Sequence, residues 1–209
     1  MDNLAVELCS VIIHNADSAQ GRPPTHLVQR AQHAVPPAIR FLTKLQEPDG
    51  SWWGRWGVNY VFGTMSAVSA LKKFAEPDSS GGAITDMVRR GVGFLLRVQH
   101  LDGGWGESVA SYELPPPPKD TGVSLPSSTA WALMGLLAAG VSPMDRAIVA
   151  GVKWLVSWPE RLYTGTGFPR KIYIGYSDYR HYFPMIALGQ YVRAVAALNN
   201  KDEVPVLKN

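Results

Sequence analysis

Two stretches of this chain align without a gap, "FLTKLQEPDGSW" at residues 41–52 and "FLLRVQHLDGGW" at residues 94–105, an offset of 53 residues. Each reads as a helix ending at a glutamine, a tight turn at Asp-Gly, and a tryptophan returning toward that helix. A repeat two helices long cannot bury its own apolar face, so it must stack on its neighbours. That points to a helical solenoid or a closed α/α barrel. An eroded third copy follows: "GVKWLVSWPE" matches "GVGFLLRVQH", with Pro159 in the glutamine position and no later tryptophan. In this reading Gln46, Asp49, Trp52, Gln99, Asp102 and Trp105 are staples between helices. The glutamine amide bonds backbone groups at a neighbouring helix terminus, and the indole stacks on it.

Helical periodicity dominates the rest and strand alternation is nearly absent. "LAVELCSVIIHNA" (4–16) reads as a first helix. "THLVQRAQHA" is a second, and Pro36-Pro37 opens a new one, "PAIRFLTKLQ". Amphipathic segments follow at 60–75 and 85–99, the latter capped by Thr85 or Asp86. "SSTAWALMGLLAAG" (127–140) starts at a serine and ends at a glycine. Ser142-Pro143 opens a helix to about Trp158, and the last helix runs from Tyr179 to Asn199 with Pro184 near its start. "YELPPPPKDTGVSLP" (112–126) is the longest loop. The expectation is an all-α chain of seven or eight helices in one domain, 1–209.

The bulk numbers narrow the function. A net charge of +3, with basic residues scattered, gives no footprint for nucleic acid. Cys9 is the only cysteine, so no intrachain disulfide forms. The N-terminus carries acidic residues where a signal peptide needs basic ones, and no stretch reaches the ~18 apolar residues of a membrane span. A cytoplasmic protein is expected, with peripheral contact to a membrane surface open. There is no phosphate loop, no zinc spacing and no carboxylate cluster of the magnesium-binding kind, so no metal and no cofactor is expected.

The strings "QEPDGSWWGRWGVNYVFGT", "QHLDGGWGES", "STAWALMGLLAAG" and "YTGTGFPRKIYIGYSDYRHYFPMIAL" resemble the C-terminal end of the squalene–hopene and oxidosqualene (lanosterol-type) cyclases, whose hallmark is a glutamine–tryptophan repeat. The resemblance covers residues ~40–195 and implies an α/α barrel, complete or partial. It also implies cavity positions: Trp56, Tyr60 and Phe62 from one block, and Phe168, Ile172, Tyr173, Ile174, Tyr176 and Tyr179 from another. Phe62 stands where the hopene type has a tyrosine that helps orient the acid. Ile172 replaces a phenylalanine that stabilises a late cation. The family's Asp-rich acid motif, D-x-D-D or D-C-T-A-E, does not occur, and "VELCS" (6–10) looks like a helix just beyond it in the sterol type.

Polyene cyclisation needs an acid kept protonated in a dry pocket, walls that fold the substrate, and π faces along the path of the cation. Walls and π faces are present. A substitute acid is expected at Asp178, between two inherited cavity tyrosines, with a helix N-cap as its structural alternative. Glu7 is the second candidate, since its helix lies beside the acid in the resembled fold. Asp17 is read as solvated, Cys9 as a small core residue, and His181 as structural or paired with Asp178 across one helical turn. Trp53 is left open between a solvent-side and a wall position.

Three functions compete. The first is a compact, metal-independent terpenoid cyclase or isomerase acting on an isoprenoid or isoprenoid-bearing substrate. The second is a non-catalytic binder of an apolar isoprenoid-like molecule. The third is a subunit whose barrel is completed by a partner or a second copy that supplies the acid.

Overall fold

The computed structural model describes residues 24–75, 82–113, 119, 122–157, 165–168 and 171–202. Glu7, Cys9, Asp17 and the first expected helix lie outside the described residues, as do Trp158 and Pro159. Six helices are described: α1 (Thr25–Leu45), α2 (Tyr60–Lys72), α3 (Ala83–Arg97), α4 (Pro126–Ala139), α5 (Arg146–Ser157) and α6 (Tyr179–Asp202). A single 3₁₀ turn covers Val109–Tyr112, and one antiparallel hairpin joins β1 (Gly165–Phe168) to β2 (Ile172–Gly175).

The helices sort into two layers by where their apolar residues fall. Helices α2 and α4 are apolar on every side, and most of their residues are buried. They pack side by side, and α6 packs on the other flank of α4. Helices α1, α3 and α5 carry one buried stripe each, for example Ala31, Val35 and Leu42 on α1. This is the α/α arrangement that the repeat demands, as an arc with α6 at one end. The outward face of α6 leaves Tyr182, Met185, Ile186 and Val192 exposed.

The two staples are superposable in chemistry. The Trp52 indole N–H donates to Leu42 O at 2.8 Å, and Trp105 to Leu95 O at 2.7 Å. Gln46 Nε2 donates to Gly50 O and across to Met87 O on α3, both at 3.0 Å. Gln99 Nε2 repeats this with Gly103 O at 2.8 Å and Ala147 O on α5 at 2.9 Å. The tryptophan backbone N–H groups donate to inner-layer hydroxyls, Thr64 at 3.0 Å and Thr129 at 2.9 Å. The amide therefore bridges to the next outer helix, as expected, while the indole bonds back to its own helix. Gly50 and Gly103 both sit at φ 91°, a left-handed turn that L residues avoid, and a Cβ on Gly50 would lie 2.4 Å from Arg90 O.

A second set of bonds ties the open end of α2 to the turn after Trp105. The Glu107 carboxylate, 3% exposed, accepts the backbone N–H groups of Asn59, Tyr60 and Val61, each at 3.1 Å. These are orphan donors of a helix N-terminus, and a carboxylate suits the positive end of the helix dipole. Burial pushes the Glu107 carboxyl above its ordinary value, against the pull of those three donors and of the Ser111 hydroxyl. Lys119 closes the same region: its ammonium pairs with Asp49 at 2.9 Å, donates to Ser51 Oγ at 2.8 Å, and lies 3.7 Å from the Tyr60 ring centroid.

Several sequence expectations are corrected. Pro36 and Pro37 do not open a helix but lie inside α1. The carbonyls whose partners they remove belong to Gln32 and His33, which are exposed and can bond water, so the buried stripe holds the helix together. Helix α3 starts at Ala83 from Gly82 with no side-chain cap, and Asp86 instead pairs with Arg89 and Arg90. Ser142-Pro143 forms a turn, and Asp145 receives the Ala147 N–H at 2.8 Å where α5 begins. The hairpin was not foreseen, because strands of four residues are too short to show alternation.

Trp105→Phe removes the indole donor from a site that is 0% exposed. It should cost about 2 kcal/mol in urea unfolding. Glu107→Ala strands three donors and should cost about 3 kcal/mol, with Glu107→Gln clearly milder because one acceptor oxygen remains. Burial raises the Asp49 and Asp102 carboxyls, but hydrogen bonds outweigh it and bring both below their ordinary values. The bonds come from Lys119 and Ser51 on Asp49, and from Gly104 N–H, Ser124 and Trp154 on Asp102. Their stabilisation is present above about pH 4 and lost as pH falls through the lower folded values, whereas Glu107 acts in the opposite sense. Thermal melts taken downward from about pH 6 should drop in that acid window, and Asp102→Asn should flatten the drop.

Candidate functional site: an open aromatic wall

The loop 53–59 hangs between the first staple and the N-terminus of α2, and it faces the hairpin and the start of α6. Trp56 is the only described non-glycine residue with positive φ, at 73°. A left-handed backbone on a bulky residue costs about 1–3 kcal/mol, so its surroundings must hold it. They do so in three ways. Tyr179 Oη–H donates to Trp56 O at 3.3 Å. The Phe168 ring meets the indole edge-to-face at 5.8 Å, and the Arg55 guanidinium lies 5.2 Å from the indole centroid.

Around Tyr179 the rings form a continuous cluster. Tyr176 stacks on it at 4.7 Å, while Phe183, Tyr182 and Trp131 approach edge-on at 5.1, 5.5 and 6.0 Å. Trp131 in turn contacts Phe62 at 5.0 Å, and a Cβ on Gly57 would strike the Phe62 ring at 2.5 Å. Burial first, and then the neighbouring Tyr182 and Tyr176, push the Tyr179 hydroxyl up to about 12. It therefore stays a proton-bearing donor at neutral pH. The hairpin adds a second patch. Tyr173 stacks on Tyr112 at 6.3 Å, and Tyr112 meets Trp53 at 5.5 Å. Ile172 and Ile174, two apart on one strand, share the other face.

The structure thus brings Trp56, Phe62, Phe168, Tyr176 and Tyr179 into one neighbourhood, with Ile172, Tyr173 and Ile174 on the adjoining hairpin. Tyr60 is placed apart. It is 5% exposed, and its ring face is taken by Lys119. Asp178 is exposed beside the wall. Its carbonyl opens α6 by accepting from His181 N and Tyr182 N, and its carboxylate accepts the Ser177 hydroxyl at 3.4 Å. The His181 imidazole does not pair with the Asp178 carboxylate; its Nε2 accepts from Arg180 Nε at 3.1 Å.

Sequence reasoning missed the hub, Trp131, its partner Phe183, and Tyr182, which packs on Tyr179 and Phe183, although all three stand inside the quoted strings. It left Trp53 open between solvent and wall, and it missed Tyr112 as a wall residue and Glu107 as the buried acid that fixes α2. Among the described residues no group of His, Cys, Asp and Glu is placed to hold a metal ion. Among the described residues the wall is an exposed surface, with Trp56, Phe168 and Ile172 about half exposed. Open clefts of about 590 Å³, beside His26, Arg30 and His33, and about 460 Å³, beside His100, Asp102 and Ser124, lie elsewhere.

Comparison with known proteins agrees with this architecture. Residues 24–193 match the squalene–hopene cyclase C-terminal domain. The squalene–hopene cyclase of Zymomonas mobilis is 42% identical over 161 residues, which span 74% of this chain and 24% of that protein. That of Alicyclobacillus acidocaldarius is 44% identical over 165 residues, 76% of this chain and 25% of that one. A terpene cyclase–glycosyl transferase fusion protein of Humicola fuscoatra is 35% identical over 211 residues, 94% of this chain and 15% of its own length. The ent-copalyl diphosphate synthase of Streptomyces platensis shares the fold, with a TM-score of 0.64 at 17% identity over 92% of this chain and 33% of that one. The chain thus spans about a quarter of the length of the squalene–hopene cyclases it matches. It belongs to the squalene–hopene cyclase family, in its C-terminal domain.

Proposed function

We propose that this chain provides the aromatic wall of a terpenoid-cyclase cavity and acts in acid-initiated, metal-independent cyclisation or isomerisation of an isoprenoid or isoprenoid-bearing substrate. The observation that carries the reading is Trp56. Its backbone is held in a strained conformation by the Tyr179 hydroxyl, with its indole set against Phe168. Strain of this kind is maintained where a side chain has to be presented in one orientation.

The chemistry follows from what the wall offers and withholds. Protonation of a terminal alkene or epoxide leaves a carbocation, and each ring closure moves the charge along the chain. Ring faces stabilise that charge through their quadrupoles without forming a bond to it. Trp56, Phe168, Tyr176 and Tyr179 offer such faces, while Ile172 and Ile174 offer shape. Asp178 is the proposed proton donor of the described residues, and Glu7 the second candidate.

A second reading is favoured by exposure. Phe168 is 51% and Ile172 59% exposed, and water at such a surface would quench a cation. The wall needs a cover, which a second copy or a partner completing the barrel would provide, bringing an acid with it. Without an acid, the same wall would serve a non-catalytic isoprenoid binder. No helix among the described residues is long and apolar enough to cross a membrane. We place the protein in the cytoplasm, with peripheral membrane contact through its exposed apolar side chains.

The test is turnover by the purified protein, offered isoprenoids of increasing length with and without terminal epoxides. Conversion by the wild type is expected, with a loss of about 100-fold or more in Asp178→Asn and about tenfold in Trp56→Ala. Equal conversion by wild type and Asp178→Asn would clear Asp178 and turn attention to Glu7. Saturable quenching of tryptophan fluorescence without any product would sink the self-sufficient enzyme and leave the binder or the incomplete subunit.

A further inference from the structure

The wall is assembled where three neighbouring helices begin. Phe62 lies in the first turn of α2, Trp131 in the second turn of α4, and Tyr179 and Phe183 in the first two turns of α6. Trp131 meets Phe62 at 5.0 Å, Phe183 at 5.2 Å and Tyr179 at 6.0 Å, so the three N-termini come together beside the rings. Each N-terminus carries about half a positive charge, from aligned peptide dipoles and orphan N–H groups. Three such ends repel a carbocation on the wall. The exposed Arg55 guanidinium over Trp56 adds to the same sign. Ring faces attract a cation only at short range, whereas the repulsion of fixed charges reaches farther.

Glu107 stands where that field can be reversed. Its Oε1 accepts the Tyr60 N–H, and its Oε2 accepts those of Asn59 and Val61, the residue next to Phe62. The segment that carries it also meets α4, because Trp105 O accepts the Leu125 N–H at 2.8 Å just before that helix starts. A full negative charge therefore stands between two of the three positive ends, and Asp178 flanks the third. One unit exceeds the half charge of α2, so the sum at that end is negative.

Helix capping by itself does not call for this charge. An orphan N–H needs only a lone pair, and neutral serine, threonine or asparagine supplies one at most helix starts. Burial pushes the Glu107 carboxyl up, so keeping it ionised at 3% exposure costs stability. A buried charge where a neutral cap would serve points to a use for its field, and a preoriented field is what a developing cation requires.

Resting on the reading of this surface as a cyclase wall, we propose that Glu107 is an electrostatic positioning residue: its carboxylate, seated on the α2 N-terminus, turns the field at the rings from repelling to attracting a cationic isoprenoid. Glu107 touches no substrate and moves no proton in this scheme. It acts through the helix whose first turn presents Phe62.

The test compares farnesyltrimethylammonium, a permanent cation kept below its micelle-forming concentration, with neutral farnesol. Tryptophan fluorescence reads both affinities in the wild type, Glu107→Gln and Glu107→Asp, each first shown by thermal melting to be folded. Wild-type affinity for the ammonium should exceed that for the alcohol by about tenfold or more. In Glu107→Gln, which keeps the shape and loses the charge, that ratio should fall about tenfold while farnesol binds as before. Glu107→Asp keeps the charge but draws it back, so it should retain part of the ratio. Should the amide not fold, the aspartate variant decides alone, and an unchanged ratio there overturns the proposal. Equal wild-type affinities, or a Glu107→Gln that weakens both ligands alike, would reduce Glu107 to a structural cap and leave the wall standing. Binding of neither ligand by the wild type would overturn the wall and this role together.

Discussion

The rest of the structure depends on a hydrogen bond from an indole to the carbonyl ten residues before it. Trp52 and Trp105 each turn back across an Asp-Gly corner and donate to the last turns of the helix they have just left. The carbonyls at a helix C-terminus lack intrahelical donors, so the indole satisfies a group that would otherwise need water, in a place where burial excludes water. The same two corners reach other helices as well. The glutamine side chain bonds the next outer helix, and the tryptophan backbone bonds a threonine on the inner one. One corner thus fixes three helices, and its second copy repeats the fixing with distances that differ by no more than about 0.2 Å. Since each corner positions the next outer helix, the layering propagates along the chain without a continuous single core. The two buried clusters, around Trp52 and around Trp105 and Trp131, follow from that.

The candidate site is a consequence of where the first corner releases the chain. Between Trp52 and the start of α2 only a short loop is available, and both of its ends are pinned, one by the staple and the other by Glu107 on the α2 N-terminus. Tyr112 pins its middle by donating to Gly54 O at 3.1 Å and Gly57 O at 3.0 Å. A loop so constrained can tolerate Trp56 in a left-handed conformation, because relaxing it would break bonds worth more than the strain. Rigidity at the staple becomes orientation at the wall.

These dependencies decide what the amino-acid sequence could reveal. The staples were legible because each is local: glutamine, turn glycine and tryptophan lie within seven residues, and the repeat displays them twice. The inner helices were legible as helices, though their all-round apolarity says only that they are buried. Pro36 and Pro37 misled because their cost depends on whether the bereft carbonyls face water, which is a tertiary fact. Glu107 was invisible for a related reason. Its three partners lie 46–48 residues away, and a lone glutamate after "GGW" carries no local sign that it will cap a distant helix. The wall residues were reached through family resemblance and not through spacing. That route found most of the ring set but not Trp131, which is fully buried beneath it.

The wall orders itself from within, and this bears on what a cover has to do. Tyr179 contacts four rings and a backbone carbonyl that all belong to this chain, and Trp131 supports Phe62, Tyr179 and Phe183 from below. No further polypeptide is required to set those orientations. What the described residues do not provide is dryness, since Phe168, Ile172 and Ile174 lie about half exposed on the hairpin. A cover would therefore act by excluding water, and not by folding the site. The requirement is asymmetric. A preformed wall binds its ligand with little reorganisation, whereas a carbocation survives on it only while water is kept away. Under the proposed function, binding and catalysis would draw on different features: the rings oriented by this chain would govern affinity, and the exclusion of water from the hairpin would govern the fate of the cation.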